Sequence, residues 1–387
     1  MNQSFFSSGN KLGILGGGQL GKMMLQITRM WDIYTKVLDP DAEAPSRLAC
    51  NQFVQGNLQD YETVYQFGKD CSVLTIEIEH VNVEALLQLQ KEGVIVHPNP
   101  QALAIIKDKG LQKQFYQEHQ FNTAPFQLYN NKQEILDAVQ QGLIQFPFVQ
   151  KSRTDGYDGK GVQIIHAIAD LSMLMDTPSV IEKKIEIQTE IAIIAARNSH
   201  GEICCYDPVS MDFHEEANML ELLLYPAPIS EEITNKAKEI AIQLIDKFSI
   251  CGLLAVEFLI DPSNQIYINE VAPRAHNSGH QTIESSITSQ FEQHVRGVLN
   301  LPLGSTKLIF PSAMLNLIGA ANHEGDVHYD GVEKLMQEEG VHVHLYGKRK
   351  TKPFRKMGHV TVTDHSLEEA KNKAKWVKQN IQVISQK

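Results

Sequence analysis

Positive charge is in short supply. In 387 residues, 35 lysines and arginines stand against 46 aspartates and glutamates, a formal net charge of -11. Sequence-independent binding to nucleic acid needs clustered cations to neutralise phosphates, so nucleic acid is not an expected partner. Cysteine is scarce as well. The five, Cys50, Cys71, Cys204, Cys205 and Cys251, include no C-x-x-C pair, and their odd number suits no closed disulfide framework. They are expected to be thiols in a reducing compartment. No apolar run approaches the roughly 20 residues that span a bilayer, so no membrane association is expected. The opening stretch MNQSFFSSGNKLGILGGG lacks a basic segment followed by an apolar one, which argues against a secretory leader and for the cytoplasm. Repeats and low-complexity tracts are missing too. What is present is a 42% hydrophobic complement, enough for ordinary buried cores, in a length that suggests two or three domains.

Over the first hundred residues short apolar runs alternate with helical patterns. Strands are expected at 11–15, 36–38, 73–78 and 94–96 and a helix at 22–30, with this unit ending near Pro98 and Pro100. Such alternation indicates a parallel sheet with crossover helices. A helix is expected over 105–119 and strands at 146–151, 161–165, 180–184 and 191–196. Residues 231–248 read as a long amphipathic helix with Ile233, Ala237, Ile240, Ala241, Leu244 and Ile245 on one stripe. A hairpin follows, 252–260 and 265–271, turning through Asp261-Pro262-Ser263-Asn264. Strands at 317–318 and 341–346 and a helix at 367–380 complete the pattern.

Three segments carry chemistry. The first, Gly16-x-Gly18-x-x-Gly21, follows a strand and opens a helix, with Asp39 about 20 residues further on. This spacing is that of a dinucleotide fingerprint, and alone it would support a NAD-dependent dehydrogenase. Its physics says only that backbone N–H groups and a helix N-terminus suit an anion. A tight turn without ligand has the same sequence. The second is the hairpin. With Ile260 facing Gln265, Glu257 faces Ile268 and Glu270 lies diagonal to Glu257 on the same sheet face. Two acids so close among apolar neighbours are unfavourable unless a cation neutralises them, and Mg2+ takes oxygen ligands of this kind. A solvated strand face would carry the same two acids. The third is TDGYDGKG, residues 154–161, between two strands. Its glycines let the backbone approach a polyphosphate, Lys160 can place a charge there, and Lys151 at the end of the preceding strand can reach the same phosphates. A surface hairpin is the bland alternative.

Taken together these segments resemble the ATP-grasp superfamily and, along nearly the whole chain, the N5-carboxyaminoimidazole ribonucleotide synthetase family. The matching stretches are LGGGQLGKMM (15–24), LDPDAEAP (38–45), TIEIEHV (75–81), DGYDGKG (155–161), NEVAPRAHNSGH (269–280), SQFEQH (289–294), LPLG (301–304) and YGK…RKMGH (346–359). NEVAPRAHNSGH is the most diagnostic, since the formate-using sister enzyme usually has Asp and Met where Asn277 and His280 stand here. The resemblance implies mixed α/β and α+β structure in an ATP-grasp architecture. An N-terminal Rossmann-like parallel-sheet domain (1–105) is followed by an ATP-grasp region (106–305) with a flap near 152–163 and a small C-terminal domain (306–387). It implies an ATP-dependent carbon–nitrogen ligase of purine biosynthesis, in which ATP phosphorylates bicarbonate and 5-aminoimidazole ribonucleotide captures the carboxyl group. ATP is then the cosubstrate, Mg2+ the metal with Mn2+ as its substitute, the partners are small molecules, and the assembly is a homodimer in the cytoplasm.

Carried over residue by residue, the resemblance gives Glu257 and Glu270 to the metal, with Asn269 beside them. Simple alternation puts Asn269 on the opposite sheet face. ATP contacts fall to Lys109, Lys151, Gly156, Tyr157, Asp158, Gly159, Lys160 and Gly161. The linker Glu182, Lys183, Lys184 and Ile185 takes adenine, Glu190 takes the ribose, and His214 is a further nucleotide contact. Arg274, His276 and Asn277 are the catalytic set. Gln19, Leu20, Glu77 and Tyr157 line the ribonucleotide pocket, and Lys348 and Arg355 hold its phosphate. The chain departs from the family at Asp155, where a flap glycine is common, at Lys109, where arginine is common, and at Ile78 and His80, where Phe and Asn are common. Another ATP-grasp ligase, a dehydrogenase and a non-catalytic nucleotide-binding protein are the competing readings. The first conflicts with Asn277 and His280, the second leaves the flap and the paired acids unexplained, and the third would be expected to have lost a metal ligand.

Overall fold

Five short apolar runs pair in parallel at the start of the chain. Their order is Gln52–Gln55, Thr35–Asp39, Leu12–Leu15, Val73–Ile76, Ile95–His97. The computed structural model that shows this describes residues 5–6, 9–154, 156, 161–213 and 220–386. Leu12, Ile14 and Leu15 are fully buried because helices cover both sheet faces, as the continuous apolar runs require. Strand order reverses at Leu12–Leu15, so the crevice beyond the carboxyl ends of Leu12–Leu15 and Val73–Ile76 is the place for a ligand. The glycine loop leaves from the first of these ends and Glu77 from the second, joined where Glu77 N–H donates to the Leu15 carbonyl at 2.8 Å.

The expected helix at 105–119 is two helices, Pro100–Ile106 and Lys109–Glu118. The break has a local cause. Asp108 caps the second helix by accepting from the Gly110 and Leu111 amides, and Pro100 sits in the first turn of the other, with Asn99 as its cap.

A four-stranded antiparallel sheet follows, in the order Phe126–Tyr129, Ser179–Lys183, Phe148–Ser152, Val162–Ile165. It has its own small core around Ile135, Phe148, Ile165 and Ile181. The largest sheet runs Ile266–Ala272, Gly252–Ile260, Thr189–Arg197, Val209–Phe213, Leu220–Tyr225, Ser312–Ile318, Lys356–Thr363, Val341–Leu345, with Ile203–Cys205 added on Thr189–Arg197. The amphipathic helix expected at 231–248 is Glu231–Lys247, capped by Ser230. It lays Ile233, Ala237, Ala241, Leu244 and Ile245 into the core against Ile191, Ile193 and Val256. No helix among the described residues is long and apolar enough to cross a membrane.

Candidate functional site

The glycine loop does not face open space. Gly17 N–H donates to Asp39 Oδ2 at 2.6 Å, and Gly21 N–H, at the start of helix Gln19–Met30, donates to Glu77 Oε2. Gly16 has φ +102°, and a Cβ there would run into the Glu77 side chain. Burial pushes the Glu77 carboxyl up to about 7, Asp39 adding to the push, while the Gly21 amide and the charges of Arg274 and Lys348 oppose it. The donors that a dinucleotide pyrophosphate would need are thus already directed at two of the protein's own carboxylates. Gln19 lies half-buried in the first turn, whereas the Leu20 side chain is in the core, leaving only its backbone to meet a ligand.

The acidic hairpin pairs one residue away from the expected register. Ile260 faces Ile266, Phe258 faces Ile268, and Glu257 faces Glu270 directly rather than diagonally. Asn269 is the extra residue of a β-bulge between these two pairs, and the bulge re-aims it. This resolves its place. Two acids stay on one face, and Asn269 joins them although simple alternation sends it to the other side. Asn269 Oδ1 accepts from Lys151 Nζ at 2.8 Å. Lys109 Nζ is bonded to Glu270 Oε2. Burial, with the Glu270 charge added, pushes the Glu257 carboxyl up, whereas Lys109 holds Glu270 well down. His276 Nε2 is 3.7 Å from Glu257 Oε1. These donors are all oxygen, and among the described residues Glu257 has no lysine or arginine bonded to it as Glu270 has, so the set fits a hard divalent cation.

Facing these acids are Lys151 and Glu182 from the four-stranded sheet. Glu182 bridges Lys151 at 3.0 Å and Lys113 at 2.9 Å. Glu190, beside Glu257 on the neighbouring strand Thr189–Arg197, has its carboxyl raised to about 7 by burial, with Glu270 adding to the push and Lys151 opposing it. Lys183 ends the strand Ser179–Lys183, and Lys184 and Ile185 begin the link from the small sheet to the large one. Below the flap, Ser152 N–H donates to the Gly161 carbonyl at 2.8 Å, and Gly161, with φ +78°, packs within 3.3 Å of Gly156 when given a Cβ. Tyr157, Asp158, Gly159, Lys160 and His214 lie outside the described residues.

Arg274, His276 and Asn277 follow directly after the acidic strand. Arg274 Nε is 2.8 Å from Glu79 Oε2, and its NH1 donates to the Ala275 carbonyl. His276 Nδ1 accepts from the Ser278 amide at 3.3 Å, which places the proton of the neutral ring on Nε2. Asn277 Nδ2 donates to Asn316 Oδ1, and Asn277 Oδ1 is buried without a hydrogen-bond partner among the described residues. Lys348 is half-buried, donates to the Lys356 carbonyl at 2.8 Å and lies over the Tyr346 ring. Arg355 NH1 donates to the Lys350 carbonyl at 2.7 Å. Lys22, from the glycine-loop helix, reaches the Leu345 carbonyl and so ties the first sheet to this C-terminal turn. Sequence reasoning missed Glu79, Asn316 and Lys113. Only Glu79 had a readable signal, two residues after Glu77 in TIEIEH.

Comparison with known proteins matches three family models along the chain. The ATP-grasp domain family matches residues 114–291, the ribonucleotide synthetase preATP-grasp domain residues 10–107, and the phosphoribosylaminoimidazole carboxylase C-terminal domain residues 312–373. The chain is 32% identical over 381 residues to the N5-carboxyaminoimidazole ribonucleotide synthase of Bacillus subtilis, covering 96% of this chain and 97% of that protein. It is 34% identical over 378 residues to the phosphoribosylaminoimidazole carboxylase of Candida glabrata, covering 95% of this chain but spanning only 65% of that longer protein. A crystal structure of the Aspergillus clavatus N5-carboxyaminoimidazole synthase in complex with ADP and 5-aminoimidazole ribonucleotide is similar at TM-score 0.86 and 32% identity, covering 96% of this chain and 98% of that one.

Proposed function

The chain belongs to the N5-carboxyaminoimidazole ribonucleotide synthase family, and from that premise we propose that it carboxylates 5-aminoimidazole ribonucleotide with ATP and bicarbonate, releasing ADP and phosphate. The observation that carries this reading is the junction at the end of one strand. The acid pair Glu257/Glu270 and the triplet Arg274, His276 and Asn277 are a few residues apart, facing Lys151.

Bicarbonate is a poor electrophile, so one of its oxygens must first take the γ-phosphoryl group of ATP, giving ADP and carboxyphosphate. Lys151, the flap and Lys109 hold the polyphosphate. Glu257 and Glu270, with Asn269 beside them, would hold Mg2+ or Mn2+, which supplies charge neutralisation to the transferring phosphoryl group. Arg274 offers a planar pair of donors to a carboxylate-like oxyanion, and Glu79 keeps its guanidinium in place. The exocyclic amine nitrogen of the ribonucleotide then bonds to the carboxyl carbon, phosphate departs with the C–O electron pair, and the amine loses a proton. His276, its Nε2 proton fixed by Ser278, donates to the carboxyl oxygen, and Asn277 presents its amide oxygen to the substrate. Lys348 and Arg355 take the ribonucleotide phosphate, Gln19 and the Leu20 amide contact the same substrate, and Glu77 lies near the bicarbonate and aminoimidazole pocket. A closed flap, to which Tyr157 and Lys160 belong, keeps water from the labile intermediate.

Homodimeric assembly in the cytoplasm belongs to the same proposal, and light scattering on the purified protein tests the assembly. A dehydrogenase is not retained as a second reading, because the Gly17 and Gly21 amides are directed at Asp39 and Glu77. The deciding experiment measures ADP release with and without 5-aminoimidazole ribonucleotide and bicarbonate. Turnover that does not depend on both would remove the proposal.

A further inference from the structure

Lys113 lies on helix Lys109–Glu118 with its side chain only 3% exposed. A buried ammonium is costly unless paired. Its partner is Glu182, itself 4% exposed, whose two oxygens are divided between Lys113 and Lys151. Two cations therefore share one carboxylate, and the cluster keeps one net positive charge. Of the two, Lys151 is the more open, and it is the one aimed at Asn269. Lys113 also donates to Thr123 Oγ1, whose hydroxyl donates to the Ile268 carbonyl at 2.7 Å, one residue before Asn269. It thus touches the frame on both sides of Lys151 without reaching the cleft. Lys109 and Lys113 are one helical turn apart, so one helix face delivers a cation to each of two acids, Glu270 and Glu182. Burial pulls the Lys113 ammonium down to about 8, with Glu182 opposing, which leaves it charged at neutral pH.

We propose that Lys113 is a positioning residue for the nucleotide. By taking half of the Glu182 charge, it leaves Lys151 anchored to Glu182 yet with a cation to spare for the ATP polyphosphate. Without Lys113, Glu182 and Lys151 become a neutral buried pair, and Lys151 is drawn away from the phosphates. This inference rests on the nucleotide reading above and extends it to a residue that touches no substrate.

The test compares Lys113→Met, Lys113→Gln and Lys113→Arg. The readouts are MgADP affinity by calorimetry and the KM for ATP and kcat in the carboxylation assay. Lys113→Met is expected to weaken MgADP and raise the KM for ATP about tenfold or more, the loss of one charge-assisted contact, with little change in kcat. Lys113→Gln, which keeps a polar group beside Glu182 and Thr123 but no charge, is expected to do the same. Lys113→Arg keeps the charge and stays near wild type. Wild-type MgADP affinity in a folded Lys113→Met protein overturns the proposal. If Lys113→Met does not fold, Lys113→Gln decides in its place, a tenfold loss supporting the proposal and wild-type affinity overturning it. Wild-type protein that binds MgADP but does not consume 5-aminoimidazole ribonucleotide would refute the substrate assignment instead, leaving the calorimetric arm to judge Lys113.

Discussion

Glu257 stands directly opposite Glu270 across the bulged hairpin, and Lys109 neutralises only the second of them. The pair is asymmetric, and its two members should respond differently to removal of charge. Either Glu→Gln change is expected to lower kcat by at least ~100-fold, the scale seen when preorganised charge is lost from a reacting centre. Glu257→Gln should also raise the thermal stability of the metal-free protein, because it removes an ill-paired buried carboxylate. Glu270→Gln strands Lys109 and should lower it. Differential scanning calorimetry without metal reads this sign, and a Glu270→Gln protein with most of its activity would remove the metal assignment.

Arg274 Nε lies 2.8 Å from Glu79 Oε2, and its NH1 donates to the Ala275 carbonyl. Arg274→Ala is expected to abolish product formation while MgADP affinity stays close to wild type. Glu79→Gln should lower kcat more mildly, by about tenfold, since it loosens the guanidinium without deleting it. Parallel loss of MgADP binding in Arg274→Ala would indicate a structural joint instead.

Six cations crowd into residues 348–356, of which Lys348 and Arg355 are assigned to the ribonucleotide phosphate. Loss of one charge-assisted hydrogen bond costs about 1.5–3 kcal/mol. Arg355→Ala should therefore raise the KM for 5-aminoimidazole ribonucleotide by one to two orders of magnitude and leave that for ATP unchanged. Lys350→Ala is the control: its carbonyl, not its ammonium, supports Arg355, so it should match wild type. Indistinguishable kinetics for the two variants would make the run a solvated face.

His294 is fully buried, contacts Thr75 Oγ1 at 3.0 Å, and is driven down to about 3 by burial, with His97 adding to the effect. The unfolded imidazole titrates near 6.5, so between that value and about 3 the unfolded chain binds a proton that the folded one refuses. Its contribution to stability is complete above pH 6.5 and declines by ~1.4 kcal/mol per pH unit below it. His294→Gln should be less stable at pH 7.5, yet its stability should fall less steeply below pH 6. Urea melts at pH 7.5, 6 and 5 measure this, and parallel curves for variant and wild type would contradict it.

Much of this site is legible in the sequence because its parts are local. Glu257 and Glu270 do share a sheet face as expected, although by a bulge that offsets a one-residue error in the expected register rather than by alternation alone, and the flap and glycine loop announce themselves by composition. Asn269 is not legible, since a bulge inserts one residue without any mark in the periodicity. The 105–119 helix reads as continuous because apolar spacing runs through the Asp108 cap, although Asp is the residue expected at such a start. Strand Lys356–Thr363 begins inside the basic run, which hides the alternating β-branched HVTVT that follows it. Glu182 reads as part of an adenine linker, but its side chain turns inward to two lysines distant in sequence, a pairing that only tertiary packing creates.

The largest sheet contains the strand bearing Glu270 at one edge and, through unbroken pairing, the strand Lys356–Thr363 that directly follows Arg355. One continuous sheet thus carries both the acid pair proposed for the metal and the strand that follows the arginine proposed for the substrate phosphate. The small sheet carrying Lys151 is separate from it, linked through residues 119–125 and 184–188, with Lys183 N–H donating to the Pro125 carbonyl and Arg153 paired with Asp108. On the proposed assignments, the span from metal to ribonucleotide phosphate runs along a single hydrogen-bonded sheet, whereas the span to Lys151 crosses between two.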